Sequence, residues 1–270
     1  MNILNEIVIN KKREVEILKE LIPIKHLERS EYYNKPVNLL SKILQERNNK
    51  VNIIAEFKRK SPSKGVINNF HDPLTVANLY LENGAVAMSI LTDEKFFGGK
   101  KEDFAKVRSN LSIPLLRKDF IIDEYQVIES KAMGADVILL IAACLKPELT
   151  YRLTRLARSL NMDVLLELHD EDDLEHINEY VTLIGINNRS LKTFEVDINT
   201  SLVLGRKISE SFIKISESGL NNAENIYRLM SSGFKGFLIG EYFMKKDKPG
   251  VILKNLIENV NKLLYKQKVK

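Results

Sequence analysis

The sequence predicts an α/β fold: eight parallel strands alternating with helices and closed into a barrel, preceded by an N-terminal helical extension. Three observations predict it. Asn83 to Ile90, Met133 to Leu140 and Ser232 to Ile239 repeat one pattern, in which a glycine follows helical residues and a continuous apolar run follows the glycine. Such a glycine suits a helix C-cap, and such a run suits a strand buried on both faces. The glycines of these repeats, Gly84, Gly134 and Gly233, lie 50 and 99 residues apart. At ~25 residues per βα unit the gaps hold two and four units, the arithmetic of a (β/α)8 or TIM barrel. Finally, eight short apolar segments each end in a polar or glycine-bearing signature.

The elements follow in order. Leu4, Ile7, Val8, Val15, Leu18 and Leu21 or Ile22 fit an amphipathic helix, and Val37, Leu40, Ile43 and Leu44 suggest a second. These helices cover part of the barrel. Residues 1–48 are therefore expected to extend a single barrel domain that spans 1–270. The first strand is Ile53 to Lys58. Ile113 to Lys118, Met162 to Leu168, Leu183 to Asn187 and Phe212 to Glu217 join the three repeats to complete the eight. Helices are expected at Glu124–Met133 and Asp170–Glu179. Asp72-Pro73 places a cap before a proline at the first helical position, and Lys146-Pro147-Glu148 repeats the proline signal. Asn221 or Asn222 caps the helix that ends at Gly233. Arg59 to His71 has no periodicity and is rich in Lys, Ser, Gly and Asn, so it reads as a substrate lid.

Composition excludes several classes. No apolar run approaches the ~20 residues that span a bilayer, and Met1 to Leu21 lacks a signal-peptide pattern. Cytoplasmic residence is expected, without a membrane partner. The net charge of +5 comes from the C-terminus, where residues 245–270 hold eight Lys against Asp247 and Glu258. A basic tail on a near-neutral body reads as a solvated helix end, and no basic stripe with interleaved aromatics suggests nucleic acid. The single cysteine, Cys144, lies in the apolar run Ile141 to Leu145 and reads as a structural thiol. His26, His71 and His176 are scattered, and His169 follows Glu167 without metal-ligand spacing. Neither a metal nor a cofactor is expected.

In a (β/α) barrel the site lies at the C-terminal strand ends. The first strand places Glu56 and Lys58 on one face at a spacing of two, in a segment that should otherwise avoid charge. The third strand adds Lys118, the fifth Glu167, the sixth Asn187 and Arg189, and the seventh Glu217 and Ser218. Two lysines among glutamates bind anions and move protons without a metal. Burial lowers a lysine pKa there and a carboxylate neighbour raises it. Gly219 and Gly240, after strands seven and eight, let backbone N–H groups reach a phosphate. Phe96, Phe97 and Phe120 are candidates to wall an aromatic substrate.

These residues stand in longer motifs. Ile54 to Gly65, Leu91 to Gly99, Arg117 to Asp123, Ile184 to Arg189, Glu217-Ser218-Gly219 and Leu238-Ile239-Gly240-Glu241 resemble the signatures of indole-3-glycerol phosphate synthase. The resemblance covers the whole chain, including the extension. It implies closure of 1-(2-carboxyphenylamino)-1-deoxyribulose 5-phosphate to indole-3-glycerol phosphate, with loss of carbon dioxide and water, in tryptophan biosynthesis. It implies Lys118 as general acid at the sugar carbonyl. Glu167 and Lys58 share the later proton transfers and the carboxylate, and Glu56, Asn187 and Glu217 orient groups or sugar hydroxyls. Ser61, Ser218, Gly219 and Gly240 hold the phosphate, with Lys58 a further candidate. Ser190 stands where an acid is usual in this family, and Glu124 where proline is common. Glu241 sits beside the phosphate site where some relatives carry serine, so its N–H donates while its side chain is expected to point away. The expected partner is one small phosphorylated substrate, and the expected state is a monomer or dimer.

Two other readings compete. A sugar-phosphate isomerase on the same barrel needs an acid and a base but not two inward lysines beside an aromatic wall. A barrel that only binds a phosphometabolite should lack Lys118 or Glu167, and this chain keeps both.

Overall fold

The computed structural model describes residues 3–47, 49–62 and 64–268. Residues 1, 2 and 48 of the expected extension, Ser63 of the expected lid, and residues 269 and 270 lie outside the described residues. The barrel strands are β1 (Ile53–Phe57), β2 (Ala87–Leu91), β3 (Leu115–Lys118), β4 (Val137–Ile141), β5 (Asp163–Leu168), β6 (Leu183–Asn187), β7 (Ile213–Glu217) and β8 (Phe234–Ile239). Each pairs in parallel with the next, and β8 returns to β1 through Ile53 opposite Phe237, closing the barrel. The helices are α1 (Ile3–Leu21), α2 (Ile24–Leu27), α3 (Leu40–Glu46), α4 (Pro73–Glu82), α5 (Glu94–Phe97), α6 (Lys101–Asn110), α7 (Glu124–Ala132), α8 (Pro147–Ser159), α9 (Asn199–Gly205), α10 (Ala223–Ser231), α11 (Glu241–Met244) and α12 (Pro249–Lys268).

Local chemistry sets the helix ends. Asp72 accepts from Thr75 N at 3.0 Å to start α4, and Asn222 accepts from Asn225 N at 2.8 Å to start α10. Gly84, Gly134 and Gly233 follow their helices at φ of +96°, +84° and +86°, where a Cβ would be strained.

One expected helix is absent. Asp170–Glu179 forms only a 3-10 turn at Asp172–His176. The side chains there bond the backbone locally and compete with a helix. The Asp173 carboxylate accepts from His169 N at 2.6 Å, and Asn178 Oδ1 accepts from Tyr180 N at 3.1 Å. The expected lid holds a two-stranded ribbon, Lys60–Ser61 against Gly65–Val66. Arg59 anchors its base on Asp103 through paired bonds of 2.9 to 3.1 Å.

The strand period of two sorts residues between two apolar layers. Ile53, Ala55 and Phe57 of β1 pack outward beneath the helices, while Ile54 packs inside the barrel. The extension closes the barrel at both ends. Leu40 and Leu44 of α3 are fully buried against the interior at the N-terminal end of the strands. There Ser41 N and Oγ bind Asp163, the first residue of β5, each at 2.8 Å. At the opposite end Leu4 and Ile7 of α1 pack with Phe120 and Ile141.

Candidate active site

The alternation that buries apolar residues also aims the charged ones. Leu116 of β3, Leu165 of β5, Leu183 of β6, Ile215 of β7 and Leu238 of β8 face the barrel interior. Two residues further along each chain, Lys118, Glu167, Gly185, Glu217 and Gly240 face the same way, and Ile54 leads to Glu56 and Lys58. These charged residues and Gly240, but not Gly185, line one cavity of about 1000 Å³ at the C-terminal ends of the strands. Its lining includes Glu56, Lys58, Ser61, Phe97, Lys118, Phe120, Glu167, Asn187, Arg189, Glu217, Ser218, Gly219, Gly240 and Glu241, which are all the site candidates taken forward from the sequence. Phe96 is the exception among the aromatics: it packs against the apolar interior cluster and does not line the cavity.

Two ion-pair groups line this cavity. Lys58 Nζ lies 2.6 Å from Glu56 Oε1. Lys118 Nζ lies 3.0 Å from Glu167 Oε2 and 3.2 Å from Glu217 Oε2. Burial opposes the Lys118 charge, but Glu167, Glu217 and Glu56 outweigh it and raise its pKa. The two glutamates part ways. Burial raises Glu217 to about 8, helped by the negative charge of Glu167 and opposed by Lys118. Burial also opposes ionisation of Glu167, but Lys118, His169 and Asn187 hold it well below the usual range. Lys118 thus pairs with both carboxylates, and of the two Glu217 is the one that burial pushes toward its protonated form. Asn187 Nδ2 donates to Glu167 Oε1 at 3.1 Å, fixing the carboxylate from the far side.

Sequence reasoning missed three supports. His169 Nε2 lies 3.2 Å from Glu167 Oε1, and both this close contact and the imidazolium charge favour the ionised Glu167. Burial lowers the His169 pKa, but Glu167 and Asp173 outweigh it and the net shift is upward. The signal was available, because Glu167 and His169 share a face at a strand spacing of two. Gly185 makes room for Glu217: a Cβ there would overlap Glu217 Oε1. A glycine inside an apolar strand marks such a close approach. Asn188 Nδ2 binds Ser216 Oγ and Ser218 O, both at 3.0 Å, and so holds Ser218 at its left-handed φ of +66°.

The rim that follows β7 and β8 carries Ser218, Gly219 at φ +75° and Gly240. A Cβ on Gly240 would overlap the Glu56 carboxylate, so this glycine admits the Lys58–Glu56 pair. The Glu241 carboxylate is taken up by Arg189 at 3.2 Å and Lys245 at 2.6 Å. On the opposite wall the Phe97 and Phe120 ring centroids are 5.8 Å apart at 40°. Among the described residues Ser61 Oγ and Glu217 Oε1 are buried without a hydrogen-bond partner, and Glu217 Oε1 packs against Gly185. Among the described residues, no group of three or more His, Cys, Asp or Glu is arranged to hold a metal, and no helix is long and apolar enough to cross a membrane.

The model of the indole-3-glycerol phosphate synthase family matches residues 4–256. The chain belongs to that family. It is 44% identical over 259 residues to an indole-3-glycerol phosphate synthase of Bacteroides thetaiotaomicron, covering 96% of this chain and 99% of the relative. It is 40% identical over 270 residues to one of Salinibacter ruber, covering 99% of each. Among solved structures, the tryptophan synthase alpha subunit of Legionella pneumophila superposes with a TM-score of 0.60 at 15% identity. That match covers 84% of this chain and 100% of the other, a likeness of fold alone. The family's match runs through α1 and α3 as well as the barrel, so the extension belongs to the family pattern.

Proposed function

We propose that this protein is an indole-3-glycerol phosphate synthase, a carbon–carbon lyase that closes 1-(2-carboxyphenylamino)-1-deoxyribulose 5-phosphate to the indole product and releases carbon dioxide and water. The observation that carries the reading is the Lys118 ammonium seated between Glu167 and Glu217 opposite the Phe97–Phe120 wall. In the first step the ring carbon that bears the carboxylate attacks the sugar carbonyl carbon. The carbonyl oxygen becomes a hydroxyl by taking a proton from Lys118. The flanking carboxylates keep that ammonium charged and make it a weaker acid than a free lysine, so the proton leaves only as the oxygen acquires negative charge. Loss of carbon dioxide then restores the aromatic ring. Departure of the hydroxyl as water needs a second proton, and Glu167 and Lys58 are the groups proposed to share these later transfers. Glu56, Asn187 and Glu217 orient the lysines and the sugar hydroxyls.

The phosphate is proposed to lie against Ser61, Ser218, Gly219 and Gly240, with Arg189, Glu241 N–H and Lys58 close by. Backbone donors suit a phosphate because they are already oriented and carry no side-chain entropy cost. The proposed setting is the cytoplasm, with the protein as a monomer or dimer. The test is turnover of the anthranilate-linked deoxyribulose phosphate by purified protein, followed by indole fluorescence. Formation of indole-3-glycerol phosphate is expected; protein that folds but releases no carbon dioxide from this substrate overturns the reading.

A further inference from the structure

We propose that Lys11, on helix α1 of the extension, is a positioning residue for the aromatic ring of the substrate, because it clamps the two loops that carry Phe97 and Phe120. The proposal rests on the reading that these two rings bind the aromatic part of the substrate.

The two phenylalanines come from different loops, one after β2 and one after β3. Each loop is organised by an aspartate. Asp93 Oδ1 accepts from Phe96 N at 2.9 Å and Phe97 N at 3.3 Å, capping α5. Asp119 Oδ1 accepts from Phe120 N at 2.8 Å. Lys11 Nζ bridges them, 3.1 Å from Asp93 Oδ2 and 2.9 Å from Asp119 Oδ1. The contact with Asp93 Oδ2 is an ion pair outside hydrogen-bond geometry.

Burial is what makes this clamp strong. The Lys11 side chain is 5% exposed and those of Asp93 and Asp119 are 0% and 1% exposed. At such sites charges are screened little, and removing one partner leaves another buried and unpaired. Burial opposes the charge on Lys11, but Asp119 and Asp93 outweigh it and hold the ammonium protonated. Glu14, one turn along α1, adds a third contact at 2.7 Å. Asp119 has a second anchor on its other oxygen, Thr92 Oγ1 at 2.6 Å and Arg117 at 3.2 Å. Arg117 is held in turn by Glu129 at 2.7 Å. The loop after β3 is therefore fixed from below as well. Among the described residues the cation on Asp93 is Lys11, and Lys95 Nζ adds a bond to Asn10 of the same helix at 3.0 Å. The extension therefore holds the loop after β2 alongside its ties from Thr92 to Asp119 at 2.6 Å and from Lys60 to Lys95 O at 2.6 Å. Leu4 and Ile7 of the same helix line the cavity, so α1 both walls the site and sets the ring-binding side of it.

The test compares wild type with Lys11→Met and Lys11→Arg. The readouts are kcat and KM for the anthranilate-linked substrate, Kd for inorganic phosphate as a probe of the other half of the site, and the thermal midpoint. In Lys11→Met, KM is expected to rise about tenfold, the scale of one misplaced aromatic contact. Phosphate affinity should stay within about twofold, since no phosphate contact has been touched. Lys11→Arg keeps the charge and should recover most of the loss. An unchanged KM in folded Lys11→Met overturns the proposal. So does an equal loss of phosphate affinity, which marks a general loosening. If Lys11→Met does not fold, Lys11→Met/Asp93→Asn removes the stranded carboxylate charge yet keeps the cap acceptor, and the same expectations apply. Failure of the functional reading looks different: wild type itself would not turn over the substrate.

Discussion

Lys118 sits between two carboxylates because three strands each place an inward polar residue at the same height. Lys118 is the last residue of β3, and Glu167 and Glu217 end the inward rows of β5 and β7. If it is the proton donor, Lys118→Ala should cut turnover ~10²–10⁴-fold. Lys118→Arg should not restore it, because a guanidinium does not give up its proton. The chain contains no Trp, so product fluorescence can be read against a tyrosine background. A folded Lys118→Ala enzyme with near-normal fluorescence growth would assign the donor to Lys58. Gly240→Val makes the companion test. Its side chain must displace Glu56 and crowd the rim proposed to hold phosphate, so KM should rise more than tenfold while the thermal midpoint falls only a few degrees. A collapsed midpoint with unchanged affinity in the surviving protein would make Gly240 a folding residue. At this scale the charged candidates were legible because strand alternation and residue type suffice to gather them. Gly185, Asn188 and Lys11 were not, since each matters through a partner that only the closed barrel brings near. His169 is intermediate: its spacing from Glu167 is local, but the charge it feels depends on the fold.

The elements were legible where caps and apolar periods agree. Asp72-Pro73, Asn222 and the three left-handed glycines all stand at the helix ends the sequence implies. The connection between β5 and β6 was misread because its acidic, amide-bearing side chains satisfy their own backbone, a competition that helical periodicity does not register. The second expected helix of the extension is present as α3, and its role is set by where it docks. Leu44 is fully buried beneath the barrel floor, at the opposite end from Lys118. Truncation there leaves a cavity in a closely packed layer, so Leu44→Ala should cost ~2–5 kcal/mol. Urea unfolding measures this through the shift in midpoint at constant slope. Turnover per folded molecule should stay within about twofold, because no group at the catalytic end has moved. A variant of wild-type stability would mean that α3 lies on the barrel without sealing it.

Across the whole molecule the two ends of the barrel have opposite duties. The apolar floor stabilises, and the catalytic end concentrates buried charge that opposes folding. Glu217 exposes that conflict. Its ordinary pKa is 4.5, and in the folded protein burial lifts it to about 8. Between those values the folded state holds a proton that the unfolded chain has released. Stability from this group is therefore full below pH ~4.5 and declines as pH rises toward ~8. Glu167 and Asp119 have the opposite sign: burial opposes their ionisation, but Lys118 and Lys11 respectively lead the charges that hold both low. Their contribution is present above the ordinary carboxylate range and is lost as pH falls through their depressed values. Glu217→Gln removes only the first effect, because an amide mimics the protonated acid and leaves Glu167 and Asp119 in place. The variant should match wild type near pH 4.5 and become progressively more stable than wild type toward pH 8, with a slope difference of roughly one proton. Urea midpoints taken across that range for both proteins measure it. Parallel curves would show that Glu217 is ionised in the free enzyme, and Lys118 would then sit between two full negative charges.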